Sequence, residues 1–534
     1  MAKVAVLDEQ LAGKTPAAKE ILVLLLPLLL LFVLLRCRGR GRGRKRLPPS
    51  PPALPLIGHV HLVGALPHVS LRYLAEQYGG EHGFMMLRLG VVPTLVASST
   101  HAAQAVLRTH DQSFASRPRS VCGDVLAYGP SDVGLAPYGE RWRLAKKLAT
   151  THLLSSKKVN SYRAAREEEE EETAEQDGRS TTMDPFLGQV ALVIKKISGA
   201  AETRTVVDMS ELLSNFIRDM VSRAVTGRSF RVEGKDRVFK ELIDEGMALL
   251  AGFNMENFYP GLATAAGGVL MRPVRRKAER ARDRWDRILD KLIDEHTQEE
   301  YRLTRQGIKE ILVNMFSAGT DTAYLVLEFA MAELMLHPEA MAKIQHEVRN
   351  SIPKDQNTIN EDNLIGMKYL KAVIKETLRL HPPSPLLLPH FSIEDCDVES
   401  FEFPAGTTVL INVWAIGRDP KVWDAPEEFM PERFIENGEI KGADFRGKDF
   451  QLLPFGSGRR MCPGMNFALA SIEIMLANIV YHFDWELPKG VDKIDMTEVS
   501  GLTVSRKEKL LLVPVLRYCA PTKRLGPLSR KMNI

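Results

Sequence analysis

Near the carboxyl end the chain reads PFGSGRRMCPGMNFALASIEIM, which sets Phe455, Gly458, Arg460, Cys462 and Gly464 in the spacing F-x-x-G-x-R-x-C-x-G. The chain has 5 cysteines, Cys37, Cys122, Cys396, Cys462 and Cys519, far apart and with no C-x-x-C pair. That pattern argues against a disulfide framework or a zinc site and fits a reducing compartment. Cys462 is then read by its own neighbours. A cysteine thiolate bound to haem iron pushes electron density into the metal and favours O–O cleavage, and each neighbour has a task in that chemistry. Gly458 and Gly464 let the backbone turn and approach a flat ring closely. Arg460 can pair with a haem propionate as a planar fork. Phe455 would shield the sulfur from water. Pro463 suits the first turn of the apolar helix that follows. A buried structural cysteine explains Cys462 alone but not the set.

Other segments carry weaker signals that gain from one another. Around ILVNMFSAGTDTAYLVLEFAMAELMLH the periodicity predicts a long helix, with Ile308, Leu312, Met315, Ala318, Gly319 and Thr322 along one stripe. Glycine inside a helix costs ~1 kcal/mol against alanine, so small residues there suit something flat approaching the backbone. In KETLRLHPP, Glu376 and Arg379 share a helix face, and His381-Pro382-Pro383 ends the helix. Alone, such a pair is a surface ion pair worth well under ~1 kcal/mol. Downstream stand Pro431-Glu432-Arg433-Phe434, upstream Trp142 and Lys146 in YGERWRLAKK, and His390 closes LLLPH.

Taken together, these motifs resemble those of the cytochrome P450 family, across nearly the whole chain. The resemblance implies a mainly α haem-thiolate fold with a small β region, preceded by an N-terminal membrane anchor helix. It implies haem b, with Cys462 as the axial ligand of the iron and Phe455, Gly458, Arg460, Gly464, Trp142, Lys146 and His390 around the cofactor. Lys146 replaces the commoner arginine of W-x-x-x-R, and His390 stands where many relatives keep an arginine. The stretch Ala318-Gly319-Thr320-Asp321-Thr322 is similar to the family's oxygen motif, which makes Thr322 and Asp321 the implied proton-delivery residues. Glu376, Arg379 and Arg433 become a buried structural network that supports the cysteine loop. Family analogy places Val121, Asn314, Ser317, Ala318, Leu387 and Leu502 at the substrate.

The stretches LRTHDQSFASRPRS, VDMSELL and DMTEVSGLTVSRKEKLLLVP further resemble grass enzymes that hydroxylate indole-derived precursors of benzoxazinoid defence compounds. The implied activity is hydroxylation of a small hydrophobic substrate such as indolin-2-one. Dioxygen is the oxidant, and electrons come from NADPH through NADPH–cytochrome P450 reductase. Hydroxylation of a terpenoid, fatty acid or phenylpropanoid, or an inactive haem protein, stays open. Relatives usually carry a longer acidic linker before Tyr301 and lack the insertion after Glu172.

The elements that must position these residues begin with Ile21 to Leu35, an unbroken apolar run that falls short of the ~20 residues of a full span. It is followed by Arg36, Arg38, Arg40, Arg42, Arg44, Lys45 and Arg46, which predicts an anchor with the body on the cytosolic side. An endoplasmic reticulum membrane protein follows from the resemblance. Residues 1–46 are read as anchor and basic block, and 47–58, with LPPSPPALPLI, as a proline-rich spacer that cannot be helix. Residues 59–519 are read as the catalytic domain and 520–534 as a tail expected to be disordered. The net charge of +4 gives no argument for nucleic acid. Strand-like pieces are expected at Phe84–Leu89 with Thr94–Ala97, at Phe401–Phe403 with Thr407–Asn412, and near Leu510–Val515. The six glutamates from Glu167 to Glu172 read as a solvated face or loop.

Overall fold

The computed structural model describes residues 46–128, 132–160, 185–227, 236–251, 255–261, 271–296, 304–353, 359–440 and 442–517. The expected anchor and basic block up to Lys45, the glutamate run, most of the insertion after Glu172, the shortened linker before Tyr301 and the 520–534 tail lie outside these residues. Among the described residues, no helix is long and apolar enough to cross a membrane.

Helices make up most of the body. They include α1 (Pro67–Tyr78), α2 (Glu140–Leu148), α3 (Pro185–Glu202), α4 (Met209–Thr226), α5 (Asp236–Ala251) and α6 (Arg272–His296). After these come α7 (Arg305–Leu336), α8 (Pro338–Asn350), α9 (Lys368–Leu380) and α10 (Met465–His482). Helix α7 is the long element foreseen from its periodicity, and it runs for 32 residues. Its start is fixed by Thr304, whose hydroxyl accepts from the Gly307 amide at 3.2 Å. Its end is fixed by His337 before Pro338, because the residue preceding proline is pushed out of the helical region. It packs against α4, α9 and α10, and the shared core includes Met220, Val326, Leu327, Leu378, Ile472 and Leu476. Burying a side chain of that size contributes ~1.5–3 kcal/mol.

The β region is small. Strands β1 (Phe84–Leu89), β2 (Val92–Ala97), β4 (His390–Phe391) and β7 (Thr408–Ile411) form one sheet in the order β1-β2-β7-β4, with β3 (Val207–Asp208) elsewhere. Strands β1 and β2 pair antiparallel, whereas β2 and β7 run parallel with Thr94 opposite Thr408. Phe401–Phe403 and Thr408–Ile411 are both strands, as expected, but they do not pair with each other. As β6, Phe401–Phe403 pairs with β5 (Cys396–Val398), Cys396 opposite Phe403. The turn at Gly406, with φ +83°, redirects the chain, and Val409 and Ile411 of β7 become fully buried. Further along lie β8 (Ile435–Glu436), β9 (Glu439–Ile440), β10 (Phe483–Glu486), β11 (Glu498–Ser500), β12 (Val504–Arg506) and β13 (Leu511–Leu516). Strand β13 sits between β10 and β3, and β11 and β12 form a hairpin.

The proline-rich segment holds no helix, as expected, ends in a turn over 54–58, and lies against the body. The Pro49 carbonyl accepts from the Met86 amide at 3.0 Å, and the Arg46 carbonyl from the Glu402 amide at 2.8 Å. Prolines lack N–H groups but keep their carbonyls, so Pro49 satisfies the β1 edge, while Arg46 just ahead of the segment does the same for β6. Pro463 is not inside the helix that follows the cysteine, because α10 starts at Met465 with Gly464 as its N-cap.

The candidate haem-thiolate site

Helix α7 and the 455–464 loop line one cavity, which Thr322, Ala318 and Gly319 reach from the helix and Phe455, Arg460, Cys462 and Gly464 from the loop. The loop is held from below. The Cys462 amide donates to the Phe455 carbonyl at 2.9 Å, and the Arg459 amide and guanidinium donate to Asp111, the latter at 2.8 Å. Gly458 is obligatory in this arrangement: at φ +66°, an added Cβ would lie 2.3 Å from the Leu107 carbonyl oxygen. Gly464 differs from expectation. Its φ of −87° is ordinary, and an added Cβ would lie 3.9 Å from the Cys462 sulfur, so it supplies an amide to the sulfur rather than a special turn.

Cys462 is open on its cavity side, and protein packs around the rest of it. Burial pushes its thiol up, while the Gly464 and Met465 amides and the Lys146 ammonium pull it back. A bound cation is the stronger pull toward thiolate. Phe455 lines the cavity, with its ring edge-on to Phe445 at 5.7 Å.

Beside the sulfur the cavity wall is cationic. Arg460 donates from Nε to the Ala115 carbonyl at 2.6 Å and from Nη2 to the Ala136 carbonyl at 2.6 Å. Its guanidinium lies 4.1 Å from the Trp142 ring, and Trp142 Nε1 donates to the Val133 carbonyl at 3.0 Å. Lys146 Nζ donates to the Met461 carbonyl. Arg117 was not foreseen from the sequence. It is buried, lines the cavity, and donates to the Gly134 carbonyl at 3.1 Å and to the Leu388 carbonyl at 2.8 Å. In FASRPRS nothing local separates the inward Arg117 from Arg119, whose carboxylate partner Asp124 is on the surface.

Burial pulls Arg117 down to about 9, with Arg460 repelling it, and it pulls Arg460 itself down to about 10. Burial also lowers Lys146 to about 8. Asp132, itself buried, offsets Arg117 and, together with Asp111, Arg460, whereas Lys146 is drawn toward the Cys462 sulfur. Such a wall has room for two more carboxylates, and this donor set fits a flat macrocycle with two propionates and a thiolate ligand beneath it. His390 also lines the cavity, but its Nδ1 pairs with the Phe114 carbonyl at 3.0 Å. Burial, Arg117 and Arg460 hold its pKa well below the usual value. A neutral ring has one N–H, and that carbonyl takes it. His390 therefore presents an acceptor to the cavity rather than the donor a propionate needs.

On the opposite wall, the Thr322 hydroxyl donates to the Ala318 carbonyl at 2.8 Å, which leaves its lone pairs facing the cavity. Asp321 points elsewhere, into the field of Asp244 and Lys240 of α5 and Arg218 of α4. Burial, reinforced by Asp244, raises its carboxyl to about 6. Asn314, Ser317, Ala318, Leu387 and Leu502 line the cavity, whereas Val121 does not. Val121 opens the short helix Val121–Leu126, and its amide donates to Glu256 at 3.0 Å. That helix reaches the cavity through Leu126 instead.

Glu376, Arg379 and Arg433 meet away from the cavity. Arg379 grips Glu376 with two bonds, at 2.7 and 2.8 Å, and Arg433 Nε reaches the same carboxylate at 2.9 Å. Phe434, from the same turn as Arg433, packs with Trp423, Ala443 and Leu452 just ahead of the cysteine loop.

Comparison with known proteins agrees with this geometry. Residues 48–513 match the family model described as Cytochrome P450. The chain is 47% identical over 492 residues to the indole-2-monooxygenase of Zea mays, covering 87% of each protein. It is 46% identical over 497 residues to the Indolin-2-one monooxygenase of the same plant, covering 88% of this chain and 89% of that one. A solved zebra fish cytochrome P450 with abiraterone superposes with a TM-score of 0.66 at 23% identity, covering 85% of this chain and all of that one, which speaks for the fold. The chain belongs to the cytochrome P450 family.

Proposed function

We propose that this protein is a membrane-anchored monooxygenase that hydroxylates a small hydrophobic, indole-derived substrate such as indolin-2-one. The observation that carries this reading is that Cys462 and Thr322 line one cavity whose remaining walls are largely apolar, with Leu126, Val221, Met247, Ile311, Leu387 and Leu502 among them. The names of the maize relatives favour an indole or its lactam as that substrate.

Haem bound in this cavity supplies reductive splitting of dioxygen, with one oxygen atom going into the substrate and the other to water. The chain's own residues do the rest. Cys462 offers its sulfur to the iron from a loop that Gly458 and Asp111 hold in place. Arg117, Lys146 and Arg460 bind the carboxylates. Trp142 supports Arg460, and Thr322 accepts a hydrogen bond from a water in the cavity and so keeps a proton source there. Asp321, behind the helix, exchanges protons with solvent near neutral pH. The apolar walls exclude other water and hold the substrate.

On this reading, NADPH–cytochrome P450 reductase supplies electrons one at a time. Residues 1–46 anchor the chain in the endoplasmic reticulum membrane, with the catalytic body, through about residue 519, on the cytosolic side and the 520–534 tail beyond it. The test is the full chain in vesicles with reductase, NADPH and indolin-2-one, with products identified by mass. A product one oxygen atom heavier is expected. Turnover of a terpenoid, fatty acid or phenylpropanoid with none of indolin-2-one or indole would reject the substrate class.

A further inference from the structure

Next to Arg117 and Arg460 on the cavity wall, Asp132 and Asn314 meet. Both Asn314 amide hydrogens are committed, one to Asp132 Oδ2 and one to the Glu310 carbonyl at 2.7 Å. Its Oδ1 accepts from the Gly134 amide at 3.3 Å and keeps a second lone pair. Asp132 Oδ1 accepts from the Leu135 amide, and the Gly134 amide also points at the carboxylate. Every group around Asp132 in this cluster presents a hydrogen to it, which holds both oxygens as acceptors. Burial pushes its carboxyl up, while these donors and Arg460 pull it back. The pair therefore has lone pairs to offer the cavity and no free N–H.

Gly134 permits this fit. A Cβ there would lie 3.3 Å from Asn314 Oδ1 and 3.5 Å from Asp132 Oδ1. Asn314 stands four residues before Ala318 on α7 and eight before Thr322, and all three line the cavity. Four residues of helix rise about 6 Å. A two-ring molecule hydrogen-bonded at Asn314 would thus bring its far ring beside Ala318, one further turn short of Thr322.

We propose that Asp132 and Asn314 form an acceptor-only anchor that selects substrates carrying an N–H or O–H on a small apolar body. The inference rests on the monooxygenase reading above and narrows its substrate chemistry. A partner lacking the hydrogen leaves buried acceptors unpaired, and sites built this way reject such analogues strongly.

The test uses the haem-loaded full chain and reads ligand binding from the haem absorption band. Two pairs are compared: indolin-2-one with 1-methylindolin-2-one, and 1-naphthol with 1-methoxynaphthalene. In the unaltered protein the hydrogen-bearing member of a pair should bind at least about tenfold more tightly. In Asn314→Leu that ratio should fall below about threefold, which separates the hydrogen bond from the bulk of the methyl group. If the ratio is near one for both pairs, or is unchanged in Asn314→Leu, the anchor is overturned. The comparison in unaltered protein stands even if the variant fails to fold. Preference within the naphthol pair, with neither indolinone bound, would support the anchor and reject the indole reading. If none of the four ligands perturbs fully haem-loaded protein, both fall.

Discussion

Glu376 and Arg379 lie one turn apart on α9 and grip each other through two hydrogen bonds, with neither side chain exposed at all. Arg379 also donates to the carbonyls of Gly417, Pro426 and Glu428, so one guanidinium ties α9 to three points of the segment leading to the cysteine loop. The Met430 amide and Arg433 complete the shell around Glu376. Removing Arg379 leaves the buried Glu376 carboxylate with only Arg433 and the Met430 amide to offset it. Arg379→Ala should cost roughly 3–5 kcal/mol and yield protein without haem. Arg379→Lys should also be severely destabilised, since a point charge cannot serve both prongs and three carbonyls. Denaturant unfolding of the haem-free protein checks this; a loss below about 1 kcal/mol for Arg379→Ala would contradict it.

The conformation of Gly458 leads to a sharper steric expectation. Its positive φ and the 2.3 Å approach of the Leu107 carbonyl leave no place for a methyl group. Gly458→Ala should lose at least about 2 kcal/mol and most of its haem, because the loop must lift from Asp111. Gly464→Ala, with ordinary φ and nothing closer than 3.9 Å, should lose far less stability. Thermal unfolding of the two variants side by side decides this, and equal losses would refute the distinction.

Burial of Asp321 makes stability depend on pH. Its carboxyl sits at about 6 when folded against an ordinary 3.8, so folding takes up a proton between about pH 4 and 6. Below that window the group is neutral in both states and costs nothing. Above it the folded protein must keep a charge in a poorly solvated place beside Asp244, with Arg218 and Lys240 only partly offsetting it. Stability should therefore fall as pH rises through the window. Asp321→Asn should be more stable than the unaltered chain by about 2 kcal/mol at pH 8, with the advantage fading toward pH 4. A difference independent of pH would show that the carboxyl does not titrate as its surroundings imply.

The motifs legible in the sequence were those in which a residue's type is tied to its neighbours. Cys462, Gly458 and Arg460 sit within one short loop, and Glu376 and Arg379 share one helix face, so local spacing was enough. Thr322 could be read only through its likeness to the family's oxygen motif, since small residues within a helix are a weak signal alone. What could not be read depends on distant backbone. Arg117 turns inward because the Leu388 and Pro389 carbonyls, far along the chain, receive it. Strand β7 lies beside β2, and no local pattern specifies a parallel pairing across that separation. His390 was placed at the cavity, but its role turns on the Phe114 carbonyl, which fixes the ring's single hydrogen.

Arg117 and His390 should consequently differ in how much they matter for the cofactor. Arg117 brings a buried positive charge to the cavity, while His390 brings a neutral acceptor. Arg117→Leu should lower the fraction of chains carrying haem several-fold, since a desolvated carboxylate would lose a charge-assisted partner. His390→Asn should lower it by less than about twofold. The ratio of haem absorbance to protein in purified samples reports this. A larger loss for the histidine variant would mean that the ring carries a second proton when the cofactor is in place.

The hydrogen bond from Thr322 to the Ala318 carbonyl separates shape from chemistry at the oxygen side of the cavity. Because the hydroxyl's proton is spent within the helix, what Thr322 offers is a lone pair that can hold a water. Thr322→Val keeps the volume and the β-branch but removes that acceptor. Haem content and the thiolate-type absorption band should be unchanged, while product formed per NADPH oxidised should fall at least about fivefold, less than the ~10²–10⁴-fold of a fully lost proton-transfer group because cavity water can still serve. The missing electrons should appear as hydrogen peroxide. Thr322→Ser restores the acceptor and should recover most of the yield, although a serine has more rotamer freedom and can turn its oxygen away. Equal product yield in Thr322→Val and the unaltered chain would remove Thr322 from proton delivery and leave it a packing residue of the cavity wall.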